Sequence, residues 1–401
     1  MFVLFCISLL CVSLHHNEPD VQLHKNLRSH VYTLAADSME GRGIGTRGLE
    51  CASEYIRKYI GMLSAGSSLQ SASVDSFTGP HGTKLVNIST MIPGMNHDIP
   101  RILVAAHYDH LGIAAQDSLG IVHVMNGAHD NASGVAAVLE VARILASNPE
   151  RPRRSIEFQF FTGEEVGLLG SRHYVKSRGS LRDSIFTIVN VDAIGHLGDN
   201  ALISIGLMGQ SALSDIVQTC AESLMLEIIE SPHSYESGDH APFLAVGIPG
   251  FQLTTGPHIL MNTPEDDAGT LDYQGLGHIT QFIRAVVESL AISDILLDPP
   301  EPPHSVHQDS GRSRVRFGIV PSFAFSGVGV QVQNSITGSP AENAGIREGD
   351  IIRAIDNHTI DTLGDLASAL RYYVPGDSAT ITYFRSDTIR SDRVIFVGRH
   401  D

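Results

Sequence analysis

The strongest constraint on the fold of this chain is an alternation of short apolar strands with helical segments between residues 52 and 292. Arg101–His107 (RILVAAH) is an apolar run bounded by Pro100 and a polar turn, which predicts a buried strand. Ala132–Leu145 (ASGVAAVLEVARIL) is rich in Ala, Val and Leu and predicts a buried helix starting near Asn131. Ser155–Thr162 (SIEFQFFT) alternates and ends at Gly163, and Ser184–Val191 (SIFTIVNV) is rich in β-branched residues; both read as strands. Ala52–Leu63 places apolar residues at 55, 56, 59, 60 and 63, and Leu276–Ile292 resumes that helical period. The pattern implies an α/β domain: three layers, with a mainly parallel sheet covered by helices on both faces.

The alternation stops at Leu297–Ser313 (LDPPEPPHSVHQDSGRS), where four prolines and no apolar period indicate a linker. Val315–Val397 then reads as short strands with one helix candidate at Leu363–Tyr372, a small β-barrel-like domain. The expected organisation is a signal segment over 1–20, the α/β domain over 21–295, the linker over 296–313 and the small domain over 314–401.

Composition narrows the function classes. An apolar fraction of 42% with 18% charged residues belongs to a folded protein. Lys and Arg number 27 against 44 Asp and Glu, a formal charge of −17, which argues against non-specific nucleic-acid binding. Histidine is abundant, at 20 residues, and histidine is the commonest metal ligand. The cysteines are Cys6, Cys11, Cys51 and Cys220, with no CxxC pair; their pattern leaves open whether Cys51 and Cys220 pair.

Phe2–Leu14 (FVLFCISLLCVSL) is too short to span a bilayer, which takes about 20 residues, and has the length of a signal-peptide core. No Lys or Arg precedes it and no Ala-x-Ala-like site follows, so a buried first strand is the alternative; Leu10 argues against lipid anchoring at Cys11. An exported protein, periplasmic or extracellular and without a transmembrane span, is expected. Asn87–Ile88–Ser89 fits a glycosylation acceptor.

Four acidic or histidine clusters fall where predicted strands end: Ala105–His110 (AAHYDH), Gly127–Gly134 (GAHDNASG), Thr162–Glu165 (TGEE) and Asn190–Asp192 (NVD). In open α/β sheets ligands bind beyond the carboxyl ends of the strands, so these groups should share one crevice. His107 closes a strand, and Asp109 is placed to accept its other ring N–H and fix the tautomer. Two divalent ions roughly 3.5–4 Å apart need a bridging carboxylate, terminal ligands and a free carboxylate for proton traffic. Imidazole with carboxylates suits zinc, and cobalt or manganese also fit. Taken singly each cluster has a plain structural reading: a core histidine, a helix N-cap at Asp130, a solvated helix start at Glu164–Glu165. Four at strand termini point to chemistry.

AAHYDH, GAHDNASG, FTGEEVGLLGS and NVDAIG, preceded by MEGRGIGTRG, resemble in order the motifs of the zinc-dependent aminopeptidase family, which includes secreted bacterial aminopeptidases and glutaminyl cyclases. The resemblance runs from about Ala35 to Tyr273. It implies that Asp130 bridges two zinc ions, that His107 and Asp192 complete the ligands of one, and that Glu165 ligates the other. It further implies that Glu164 is the general base for a metal-activated water, returning the proton to the leaving amine. Tyr235 and His240, in the segment YESGDHAPF, resemble the family's Ser-Asp-His segment near the substrate pocket, with loop packing the alternative for His240.

The family's last ligand is a histidine directly before a Thr-Pro-Glu-Asp-like segment, and this chain has Asn262 there. An asparagine carbonyl is a poorer zinc ligand than imidazole. Three outcomes are open: a weak second ion through Glu165, Asp130 and Asn262; a swing of His258 into the site; or one firm ion with slow or no turnover.

Arg316–Ile319 (RFGI) followed by GSPAENAGIREGDIIRAIDNHTI resembles a protease-associated PDZ domain. The resemblance implies that Phe317, Gly318 and Ile319 form a loop whose backbone N–H groups receive a peptide carboxylate; a closed docking module is the alternative. The favoured function is thus a metallo-exopeptidase acting on the N-termini of peptide substrates. A catalytically impaired member that binds peptide C-termini through its PDZ domain is second, and cyclisation of N-terminal glutamine, which needs the missing histidine, is third.

Overall fold

The computed structural model describes residues 18–114, 120–198, 201–231, 238–300, 313, 315–323, 325–386 and 388–398. Its strands before the linker are β1 (Ser73–Thr78), β2 (Lys84–Ile92), β3 (Arg101–His107), β4 (Gly112–Ile113), β5 (Val124–Met125), β6 (Ile156–Phe161), β7 (Ile185–Val191), β8 (Leu202–Ile205), β9 (Ile228–Glu230) and β10 (Gly250–Thr254). The helices of this region are α1 (Glu18–Leu34), α2 (Arg47–Ser64), α3 (Ser133–Ala146), α4 (Leu169–Ser177), α5 (Ser211–Ser223), α6 (Ala241–Ala245) and α7 (Tyr273–Ile292).

Eight strands form one mixed sheet in the order β1-β2-β6-β3-β7-β10-β8-β9. Its centre, β6-β3-β7-β10, is parallel, and antiparallel pairs lie at β1-β2, β2-β6 and β10-β8. β3, β6 and β7 are buried almost throughout, as a strand with helices on both faces must be. The two-residue period divides their side chains between two layers. Ile102, Val104 and Ala106 of β3 enter the larger core with α1, α2, α3 and α7, whereas Leu103 and Ala105 join Tyr174, Leu181 and Phe243 on the opposite face. That is the three-layer α/β arrangement, with a sheet parallel at its centre and mixed towards its edges.

Helix α3 is buried along nearly all its length, which explains its run of Ala, Val and Leu instead of an amphipathic stripe. Among the described residues no helix is long and apolar enough to cross a membrane. Phe2–Leu14 and most of the expected linker lie outside the described residues. Cys51 and Cys220 are both free thiols. The glycosylation reading of Asn87 is corrected: the side chain is buried, its Nδ2 donating to Gly170 O and its Oδ1 accepting from Thr162 N.

Beyond the linker a separate apolar core, including Phe317, Val332, Ile352, Ile381 and Phe396, holds a second unit. Its strands are β11 (Val315–Arg316), β12 (Ile319–Pro321), β13 (Val330–Ser335), β14 (Ile351–Ile355), β15 (His358–Thr359), β16 (Ser378–Arg385), β17 (Thr388–Ile395) and β18 (Val397–Gly398), with α8 (Pro340–Asn343) and α9 (Leu363–Leu370). The pairs are antiparallel in the order β12-β13-β14-β16-β17, which puts β12 at an edge.

Candidate metal centre

The ends of β3, β6 and β7 and the turn into α3 bring two groups of potential ligands together. His107, Asp130 and Asp192 form one, and His110, Asp130 and Glu165 the other; within each, the donor atoms lie within 4.8 Å of one another. His107 Nε2 is 3.3 Å from Asp130 Oδ1 and 3.2 Å from Asp192 Oδ1. Donors about 2.0–2.1 Å from a tetrahedral zinc stand about 3.3 Å apart, so this spacing fits an ion at their centre. Asp130 Oδ1 is also 3.9 Å from His110 Nδ1, which puts the Asp130 carboxylate between the groups. His110 Nδ1 lies 2.7 Å from Glu165 Oε1.

The electrostatics match a cation site. Burial works against a charge on His107, yet the facing carboxylates of Asp192 and Asp130 hold its pKa well above the ordinary imidazole value. Burial in turn raises the pKa of Asp192. A protein that folds carboxylates this close together out of water needs positive charge there, and a divalent cation supplies more of it than one imidazolium.

Each ligand is held by identifiable contacts. His107 Nδ1 lies 3.2 Å from the backbone carbonyl of Asp109 and 3.8 Å from its carboxylate, so the carbonyl is the ring's nearer acceptor. The Asp109 carboxylate instead accepts the N–H groups of Glu164 and Glu165, tying the end of β3 to the turn after β6. Gln252 on β10 donates to Asp192 Oδ2 and accepts from Asn190. Asp266 accepts from the backbone N–H of His129 at 2.9 Å and of Asp130 at 3.4 Å. Burial raises its pKa to about 7.

Arg42, from the MEGRGIGTRG segment, is wholly buried behind the site. Its guanidinium donates to the carbonyls of Tyr108, Leu34, Asn126 and Gly127, joining the two ligand-bearing turns. Burial lowers its pKa to about 10, against the pull of Asp130, Asp266 and Asp109. Sequence reasoning missed His110, Gln252, Asp266 and Arg42 as parts of this centre. His110 stood inside the quoted AAHYDH motif, three residues past His107, Arg42 inside MEGRGIGTRG and Asp266 at the end of the Thr-Pro-Glu-Asp segment, so these three carried a local signal.

The other expected residues lie as follows. Asn262 sits in a turn at φ 61°, in the left-handed region that Asn tolerates, and its Oδ1 is buried without a hydrogen-bond partner among the described residues. His258 stacks on His196 with ring centroids 3.7 Å apart and accepts from Leu260 N, so it belongs to neither group. His240 is fully buried, and burial lowers its pKa to about 4, which suits the loop-packing alternative. Tyr235 lies outside the described residues. Glu164 is half-buried beside Glu165, close enough for its charge to raise the pKa of His107.

In the C-terminal unit, Gly318 has φ 84°, and a Cβ there would meet Ser339 Cβ at 2.1 Å, so only glycine suits the position. The carbonyls of Phe317 and Gly318 accept from Ala341 N and Ile336 N. Planar trans peptides therefore direct the N–H groups of Gly318 and Ile319 the opposite way.

Fold and site together define an α/β protein with a carboxylate–imidazole metal centre at the carboxyl ends of its parallel strands. Residues 87–287, half of the chain, match the model of Peptidase family M28, and the chain belongs to that family. Residues 304–395 match the PDZ domain. A probable leucine aminopeptidase of Trichophyton verrucosum is 26% identical over 258 residues, covering 60% of this chain and 63% of the relative. The chain thus spans about three fifths of the length of the curated relatives it matches first. Among solved structures, a zinc aminopeptidase from Bacillus subtilis has a TM-score of 0.57 at 18% identity, covering 70% of this chain and 98% of that one. The glutaminyl cyclase of Porphyromonas gingivalis has a TM-score of 0.55 at 18% identity, covering 67% and 98%. At those identities the likeness is one of fold.

Proposed function

We propose that this protein is a zinc-dependent exopeptidase that removes N-terminal residues from peptides, with Glu164 as its general base. The observation that carries the reading is the convergence of His107, Asp130 and Asp192 at the spacing of a zinc ligand set, beside a glutamate that belongs to neither ligand group. Membership of Peptidase family M28 and the zinc aminopeptidase among the similar structures support it.

His107, Asp130 and Asp192 would hold one cation, with Glu165 turned towards a second. Bound there, divalent zinc polarises a substrate carbonyl and acidifies water. Glu164 takes the proton of the attacking water and delivers it to the departing amine. Asp109 orients this step from beneath, because its carboxylate fixes the backbone of Glu164. Peptide substrates would approach at the turns after β3, β6 and β7, where the candidate ligands stand. The Phe317–Ile319 loop and the edge of β12 suit a peptide C-terminus adding as a strand. The apolar run Phe2–Leu14 supports export.

The test is elemental analysis of the purified protein together with hydrolysis of aminoacyl chromogenic substrates, with and without chelator and added zinc. Turnover that chelation abolishes and zinc restores is expected. A protein that takes up no metal and hydrolyses none of these substrates would leave the second reading, a peptide-binding scaffold, which the presence of Asn262 favours.

A further inference from the structure

We propose that His110 is a ligand of the second divalent cation, binding through Nδ1 alongside Asp130 and Glu165 and supplying the imidazole that position 262 lacks. The inference rests on the metallopeptidase reading and assigns its second site to a histidine from the opposite end of the domain sequence.

Three observations place the ring there. His110 Nδ1 faces two buried carboxylates, 2.7 Å from Glu165 Oε1, a hydrogen bond that a shared cation would replace, and 3.9 Å from Asp130 Oδ1. Two carboxylates and one imidazole are a hard–borderline donor set suited to zinc or cobalt. The ring also occupies a built cradle. Gly127 has φ 57°, and a Cβ on it would lie 2.4 Å from His110 Cδ2, so the turn before Asp130 is bare where the imidazole passes. Finally, the backbone is pinned, because His110 N donates to Arg42 O at 3.1 Å while the Arg42 guanidinium grips the carbonyls on either side. The backbone that carries the ring is thereby fixed beside Asp130 and Glu165.

The assignment resolves the departure at Asn262. The second cation needs one imidazole besides its carboxylates, and the chain supplies it from the turn after β3. A ligand set built this way draws both imidazoles, His107 and His110, from one six-residue motif.

A merely positioning histidine would hydrogen-bond Glu165 and tune affinity by about 10–100-fold without touching the ion, so affinity alone does not decide the matter. The decisive measurement is proton NMR of the full chain loaded with cobalt(II). Each imidazole bound to cobalt carries an N–H on its other ring nitrogen, giving a strongly shifted resonance that vanishes in D2O. Uptake of two cobalt ions with two such resonances, one of them lost in His110→Gln while the first ion stays bound, is the expected result. One resonance with two ions bound, or uptake of a single ion, overturns the proposal. If His110→Gln does not fold, the wild-type spectrum decides alone. Hydrolysis is assayed on the same sample: chelator-sensitive turnover with a single resonance sinks His110 but not the peptidase. Two resonances without turnover sink the peptidase reading and leave the cation site.

Discussion

The carboxylate of Asp109 accepts the backbone N–H of Glu164 at 3.2 Å, so the residue two places after His107 holds the neighbour of Glu165. Its other oxygen takes the N–H of Glu165 at 3.3 Å. Asp109 is therefore a clasp between the turns after β3 and β6. Asp109→Ala removes both acceptors from a buried place. Cation affinity should fall by about 10–100-fold, as is usual when a group supporting metal ligands is lost. Asp109→Asn, which keeps one acceptor oxygen, should fall between the two. Equilibrium dialysis with zinc measures this; unchanged affinity in Asp109→Ala would refute the clasp.

Glu164 lies outside both ligand groups. Glu164→Gln should leave the cation content unchanged and lower kcat by about 10²–10⁴, the usual worth of a general base. Loss of metal alongside activity would show instead that Glu164 is a ligand.

Arg42 is buried among carbonyls of four separate residues. Lysine retains the charge but not the planar fork of donors. Arg42→Lys should therefore destabilise the fold by at least ~3 kcal/mol, since buried carbonyls lose charge-assisted hydrogen bonds. Urea unfolding of the two proteins provides the comparison, and a difference under 1 kcal/mol, roughly one ordinary hydrogen bond, would count against the role given to Arg42.

His240 is buried with its pKa lowered to about 4, against 6.5 for an exposed imidazole. The folded state thus binds fewer protons than the unfolded chain between those values. The stability this contributes is fully present above pH 6.5 and is lost as pH falls towards 4. At pH 5 the loss is about 2 kcal/mol relative to pH 7.5. His240→Gln lacks this dependence, so the difference in unfolding free energy between the two proteins should change by that amount from pH 7.5 to 5. An identical pH profile for both would contradict it.

Much of the centre was legible in the chain because strands announce themselves by apolar runs and parallel strands present ligands at their carboxyl ends. His107, Glu165 and Asp192 stand at or just past such runs and Asp130 at the small-residue turn into α3, while their roles as ligands came with the family resemblance. Asn87 misled for the complementary reason. Its tripeptide is a local pattern, and nothing local shows that β2 lies against β6, where the side chain is buried and bonded to Thr162 and Gly170. His240 came from a resemblance to the family's Ser-Asp-His segment, with loop packing the alternative, and its burial suits that alternative, while His258 is stacked on His196.

By itself the sequence determined the element types, the order of the layers and which acidic and histidine side chains stand at strand ends, since these follow from hydrophobic period and residue chemistry over a few positions. Only the tertiary structure decided which of those side chains face one another. His110 lies past the end of β3, where no strand period dictates direction. Its orientation comes from Arg42, 68 residues earlier, and from the bare backbone of Gly127. Contacts between residues so distant along the chain arise from packing, and packing is a property of the folded whole.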